Sequence, residues 1–260
     1  MAWRSSGTSN ASLVENLWSN GMIRQEAVKA AFLKVDRANY APSSPYEDSP
    51  QSIGHRATIS APHMHASAVE SLLPHVLPGG GGRRPRRILD IGSGSGYLTH
   101  ILAELAGEDA VVVGVEHIEA LQALGIANMS KSPEGRHLLS SGRVRFRVGD
   151  GRKGWVEPEP EAPSGTSGQP NVDVVVSGAA DESDAQGWDA IHVGAAAVEL
   201  HPELLDQLRK PGRMFIPVEE GGVGARQQYI WVVDKEESGT VRKERMYGVR
   251  YVPLTDAPRP

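Results

Sequence analysis

The stretch LDIGSGSGY, Leu89 to Tyr97, decides the fold. It follows a short apolar run, RRILDIG, with the regularity of a strand, and it precedes SGYLTHILAELAG, which repeats apolar residues at helical spacing. Between them Gly92, Gly94 and Gly96 make a turn whose backbone can approach a ligand closely, and the first N–H groups of the new helix can receive polar ligand atoms. Outward from this turn the alternation continues. AVVVGVEHI reads as a strand, EALQALGIANMSK as a helix, GRVRFRVGD as a strand, and WDAIHVGAA and GRMFIPV as strands flanking the helix PELLDQLRK. Antiparallel edge strands are expected near QQYIWVVD and YGVRYVPL. Such alternation predicts an α/β fold, a doubly wound, mostly parallel Rossmann-like sheet with its ligand site at the carboxyl ends of the strands.

The segments before the turn read differently. Leu13 and Leu17, then Val28, Ala31, Phe32 and Val35, predict two amphipathic helices within an N-terminal helical part spanning 1–82. From Asp36 to Ile59, Pro42, Pro45 and Pro50 predict an ordered extended loop, and a third helix is expected to start near Ser60 and to weaken before Pro74. PGGGGRRPRR reads as a flexible connector. Val156 to Gln186 holds seven acids and no Lys or Arg, and reads as an acidic surface insertion in a single domain of 1–260; VDVVV inside it is weak as a strand.

Composition removes several classes of function. The 260 residues are 23% charged and 39% hydrophobic, the balance of a soluble globular enzyme. There is no cysteine, so disulfides, thiolate metal sites and cysteine nucleophiles are impossible. No apolar run is long enough for a membrane span, and the net charge of −5 argues against a general nucleic-acid binder. A cytoplasmic monomer without metal is the expectation.

Glu116 ends the second strand about 20 residues beyond the turn, where an acid can accept both hydroxyls of a ribose. The turn is G-x-G-x-G preceded by Asp90, unlike the dinucleotide fingerprint G-x-G-x-x-G, and Asp150 closes the third strand where it can hydrogen-bond an adenine amino group. That set resembles the S-adenosylmethionine-dependent methyltransferases of Rossmann type. With DSPQSIGHRATISAPHMHA, GSGSGYLT, SSGRVRFRVGDGR, WDAIHVGAA and YVPLTD, it resembles more narrowly the protein-L-isoaspartate O-methyltransferases, over nearly the whole chain. The resemblance implies methyl transfer from S-adenosyl-L-methionine to isoaspartyl residues of damaged proteins, with S-adenosyl-L-homocysteine as product. It implies a cofactor pocket of Ala57, Thr58, Ile59, Ser60 and His65, with Asp90, Gly92, Gly94 and Ser95 at the turn. Glu116, His117, Asp150, Gly151 and Thr255 complete it. Ser60 would be the active-site residue, and the backbone around Val252 and Leu254 would hold the substrate. Glu116 stands where an aspartate is frequent, and the acidic insertion replaces a short link.

Four residues keep a second reading on the sequence. Ser60 at a helix start serves equally as N-cap or as part of a carboxylate receptor. His63 and His65, two apart on a helix, point about 200° apart and cannot chelate one ion. His192 at a strand end is a candidate base or a structural residue. A methyltransferase of another acceptor, and a binding module that keeps the cofactor fold without transfer, are the two other functional readings.

Overall fold

The computed structural model describes residues 2–79, 84–157, 186–221 and 227–255. The expectations for the middle of PGGGGRRPRR and for most of the acidic insertion, VDVVV included, fall on 80–83 and 158–185 and lie outside the described residues.

The chain begins with α1 (Asn10–Ser19) and α2 (Glu26–Lys34), followed by the hairpin β1 (Gln51–Gly54) and β2 (Ala57–Ile59) and then α3 (Pro62–Val76). The alternating half comprises β3 (Arg87–Ile91), α4 (Tyr97–Leu105), β4 (Val111–Glu116), α5 (Glu119–Met129), α6 (Pro133–Ser140) and β5 (Val144–Val148). After the insertion come β6 (Trp188–Val193), α7 (Pro202–Gln207), β7 (Leu208–Glu220), β8 (Gln227–Lys235) and β9 (Val241–Val249). The strands form one seven-stranded sheet in the order β5-β4-β3-β6-β7-β8-β9. Neighbours from β5 to β7 are parallel, and β7, β8 and β9 are antiparallel. The chain therefore departs from β3 in one direction and resumes on its other side with β6, which leaves a crevice beyond the carboxyl ends of these strands.

Both faces of the sheet are buried, which explains why its inner strands read as continuous apolar runs. Ile88, Val112, Val144 and Ala190 share one core with α1 to α5. Leu89, Ile91, Val113, Val115, Ile191 and Val193 face a second core with Trp188 and Leu204. The period of two along each strand assigns these sides. Gly96, the residue before α4, has φ 82°, and a Cβ there would meet Gly125 and Phe146 at 3.1 Å. A glycine is required for both reasons, and its absence of side chain lets α4 and α5 approach at the turn.

Several boundaries differ from expectation. The loop 36–59 contains the hairpin β1–β2, reversed through Gly54, His55 and Arg56, all at positive φ. Helix α3 passes through Pro74 to Val76, because Leu72, Leu73 and Val76 are all buried and the proline lies in the last turn, where only one ladder bond is lost. The segment PELLDQLRK stays helical only to Gln207, whose side-chain amide ties down Lys153 O and Trp155 N, while Leu208 already pairs with Trp188 in the sheet. The last edge strand is Val241–Val249, upstream of most of YGVRYVPL. It is solvent-facing on both sides and has no apolar alternation to read.

Sheet and connector are joined by a buried charge. Asp189 at the start of β6 is 1% exposed and accepts from Arg209 Nη1 at 2.6 Å, Arg87 N at 2.8 Å and Arg86 Nη1 at 3.3 Å. Asp189→Ala takes the carboxylate from two guanidinium groups in a low-dielectric setting. We expect a stability loss of about 3–5 kcal/mol, read as a shifted urea midpoint at unchanged slope.

Candidate active site

A cavity of about 380 Å³ opens at the carboxyl ends of β3, β4, β5 and β6. This volume suits a nucleoside-sized ligand. Its floor is the glycine turn, with Gly92 and Gly94 at positive φ. Gly151 closes one side; a Cβ there would lie 2.3 Å from Ile91 Cγ2 and 3.4 Å from Leu254 Cδ1. Ile118, Leu121 and Leu254 supply apolar wall, and Ala57 and Thr58 of β2 close the mouth.

Glu116 is the acid within this wall and is 4% exposed. Its Oε2 accepts from Gly94 N at 3.1 Å, and its Oε1 from His117 N at 2.9 Å and Ile118 N at 3.3 Å. His117 Nδ1 lies 3.1 Å from the same Oε1. The carboxylate thus gathers donors from the turn and from the start of α5. Oε2, with a single donor, retains acceptor capacity for a hydroxyl.

Other residues named from the sequence stand one layer back. Asp90 is 1% exposed and accepts from Thr99 Oγ1 at 2.6 Å and pairs with His192 Nδ1 at 2.8 Å, so its carboxylate faces the core rather than the cavity wall. Ser95 is buried, its Oγ receiving Tyr97 N and its carbonyl Asn128. Asp150 accepts from Arg152 N, Nε and Nη2 at 3.0, 2.9 and 2.8 Å. That guanidinium holds its pKa below the usual range, and the wall at this point is Gly149 and Gly151. Ile59 is buried in the hairpin core, and Thr255 lines the cavity. His192 stacks on Phe215 and is locked to Asp90; where β6 ends, the wall is Gly194 and Ala195.

Ser60 precedes α3 but does not cap it. The N-cap is Ala61, without a side-chain bond. The capping role falls to Asp48, brought from the loop before β1, whose Oδ1 accepts from His63 N at 3.0 Å and meets His63 Nδ1 at 2.7 Å. A carboxylate at this end also matches the helix dipole. Ser60 is therefore released from the structural duty that the sequence left open for it. Its carbonyl accepts from Arg37 Nη2 at 2.8 Å, and the Ser60 hydroxyl faces the Tyr251 phenol, whose pKa is raised by burial and lowered in part by this serine.

Val252 and Leu254 line the cavity, and part of their backbone is already engaged. Val252 O accepts from Ala196 N at 2.8 Å, and Leu254 N donates to Ala196 O at 2.7 Å, so both are engaged within the protein. By strand alternation, Pro253 turns the other way and offers only a carbonyl. Tyr251 is held by Gln228, whose Oε1 accepts from its N–H at 2.5 Å and whose Nε2 donates to its carbonyl at 3.2 Å. Arg37, Asp48, Gln228 and Tyr251 were not read as site residues: Asp48 and Tyr251 open the stretches DSPQSIGHRATISAPHMHA and YVPLTD, but the contacts that give all four a place here are tertiary and leave no spacing to read.

His65 does not reach the cavity wall. It is 8% exposed, with Nδ1 3.5 Å from Arg37 Nη1 and its ring tilted on Tyr97. Burial, and then the Arg37 charge, hold its pKa well below 6.5, so the folded state keeps it neutral. Below pH 6.5 the unfolded chain takes up a proton that the folded chain refuses. His65 therefore lowers stability as pH falls from about 6.5 towards its folded pKa, and has no such effect above that range. We expect urea titrations between pH 7 and pH 5 to show up to about 1.4 kcal/mol more loss per pH unit in the wild type than in His65→Gln.

The comparisons agree with this geometry. A sequence model described as protein-L-isoaspartate(D-aspartate) O-methyltransferase matches residues 8–172 and 165–259. The chain is 39% identical over 255 residues to the Caenorhabditis elegans protein-L-isoaspartate O-methyltransferase, covering 98% of this chain and 96% of that one. It is 40% identical over 253 residues to protein-L-isoaspartate O-methyltransferase 1 of Arabidopsis thaliana, covering 96% and 93%. A crystal structure of a Plasmodium falciparum protein described as a protein-L-isoaspartate O-methyltransferase, in complex with S-adenosyl-L-homocysteine, superimposes with a TM-score of 0.76 at 30% identity, covering 96% of this chain and 99% of that one. The chain belongs to the protein-L-isoaspartate (D-aspartate) O-methyltransferase family.

Proposed function

We propose that this protein is a repair methyltransferase that esterifies the free α-carboxylate of L-isoaspartyl residues in damaged proteins, with S-adenosyl-L-methionine as methyl donor. The observation that carries the reading is the wall where β6 ends. Gly194 and Ala195 stand there, while His192, the candidate base, is bound to Asp90. This arrangement suits an acceptor that arrives already ionised. An α-carboxylate, with a pKa of about 3.5, is such an acceptor at neutral pH.

The residues fit the donor. A close-approach glycine turn, a buried acid with spare acceptor capacity and an apolar slot of about 380 Å³ match a charged nucleoside with a flat base. Once bound, S-adenosyl-L-methionine supplies an electrophilic methyl group. Glu116 would hold the ribose hydroxyls, Gly92 and Gly94 would let the chain approach, and Ile118 and Leu121 would flank the base. Ser60 would orient the acceptor carboxylate by one hydrogen bond, and no covalent intermediate on it is needed. Pro253 O and the segment 251–255 would meet the peptide. The acceleration would come chiefly from alignment and from a dry pocket, since a cation and an anion combine into neutral products. The ester then closes to a succinimide without help from the protein.

Glu116→Ala is expected to weaken S-adenosyl-L-methionine binding by about 10- to 100-fold, the equivalent of one charge-assisted hydrogen bond. Calorimetric affinity equal to wild type would remove Glu116 from the site.

The function itself is tested with one peptide made in isoaspartyl and aspartyl forms. Methylation of the first and little of the second is expected, because an aspartyl carboxylate lies one methylene further from the main chain and cannot align while the peptide groups stay paired. Equal rates on both would sink the repair reading. Ser60→Ala is expected to lower kcat strongly with a smaller change in cofactor affinity.

A further inference from the structure

Arg37 is the most completely buried charge in the N-terminal layer, at 0% exposed, and the reading above gives it no part. Its guanidinium lies 5.1 Å from the Tyr97 ring centroid. Desolvation lowers its pKa to about 10, against the pull of Tyr97 and Asp48, so it remains cationic at neutral pH. Its Nε meets no acceptor among the described residues. A buried guanidinium left short of one partner is costly, and a structural residue of similar volume would avoid that cost. What this guanidinium does reach is the Ser60 carbonyl, at 2.8 Å, and His65 Nδ1, at 3.5 Å. Three residues after Ser60, the Asp48 carboxylate grips both His63 N and His63 Nδ1.

The segment Ser60 to His63 is thus hung at both ends from charges that belong to the loop between α2 and β1. Neither end uses the Ser60 hydroxyl. We propose that Arg37 and Asp48 are positioning residues for the methyl transfer, fixing the main chain at Ser60 so that its hydroxyl meets the acceptor carboxylate in the reactive alignment. The inference rests on the isoaspartyl reading of the site. Arg37 acts on turnover through Ser60 and touches neither substrate nor cofactor.

The test measures kcat on an isoaspartyl peptide, S-adenosyl-L-methionine affinity and thermal midpoint for four variants in parallel with wild type. Arg37→Gln is expected to lower kcat by about 10- to 100-fold, the range for a sub-ångström to one-ångström misplacement, with cofactor affinity within about 3-fold. Arg37→Lys keeps the charge and one donor, and should recover part of the loss. Asp48→Asn keeps an acceptor for His63 N and should fall between wild type and Arg37→Gln. Val28→Ala removes buried methyl groups from α2 without touching either charge, and should keep kcat within about 2-fold at a lowered midpoint. If Arg37→Gln does not fold, Arg37→Lys carries the test, with a loss of about 5- to 10-fold expected. A folded Arg37 variant with wild-type kcat overturns the proposal, as does an equal fall in Val28→Ala. Failure of the wild type to methylate the isoaspartyl peptide would instead overturn the function on which the proposal rests.

Discussion

The site depends on one buried carboxylate that does not enter it. Asp90 closes the central strand β3 and joins it to α4 through Thr99 and to β6 through His192. Three elements far apart in the chain, the strand before the glycine turn, the helix after it and the strand across the crevice, are thereby held in one register. At 1% exposure, such a carboxylate is tolerable only with its partners in place, so the network specifies this arrangement more than it adds to stability. Fixing β6 against β3 fixes the distance between Gly92 and Gly194, whose backbones face each other, with a Cβ on Gly92 falling 3.6 Å from the Gly194 carbonyl carbon.

The second carboxylate solves a different problem. Glu116 sits at the end of β4 beside the exposed N–H groups of a tight turn and of a helix start, which would otherwise be left unpaired in an apolar wall. The longer glutamate side chain reaches Gly94 N across the strand pair and still bonds its own flanking residues. In the proposed function the Oε2 that completes the turn is also the atom offered to a ribose, and the turn arrives preorganised. Preorganisation of this kind reduces the ordering that binding would demand.

How much of this was legible follows from where each signal lies. The alternation around LDIGSGSGY, the acid at 116 and the parallel order were readable because each is local: a period, a turn or an offset along one stretch. The strand β9 was misplaced because both its faces meet solvent, and a strand without an apolar face has no period to find. The cap of α3 was left open for a related reason. Ser60 has the side chain of a cap, but the cap came from Asp48, and nothing in the spacing of a proline-containing loop announces a contact 15 residues away. Asp90 was named with the cofactor pocket, whereas its carboxylate bonds Thr99 and His192, since the sequence shows that an acid precedes the turn but not which way its carboxylate points.

The N-terminal layer gains a meaning from this. Its helices bury apolar surface against α3 and α4, and Glu70 of α3 returns the contact by accepting from Arg24 N and Gln25 N at 2.8 and 2.9 Å, capping α2, whose own N-cap Gln25 makes no side-chain bond. Asp48 does the same for α3. The starts of α2 and α3 are thus satisfied by carboxylates lent from other elements, which couples those ends to the tertiary packing, whereas α1 keeps a local capping box between Ser9 and Ser12. The consequence for chemistry is specific. A serine that capped its own helix would have its hydroxyl committed to an N–H. Borrowing the cap from Asp48 frees the Ser60 hydroxyl from any backbone N–H and leaves it against the Tyr251 phenol, two residues beyond the cavity-lining Thr58, while the chain beneath it stays fixed.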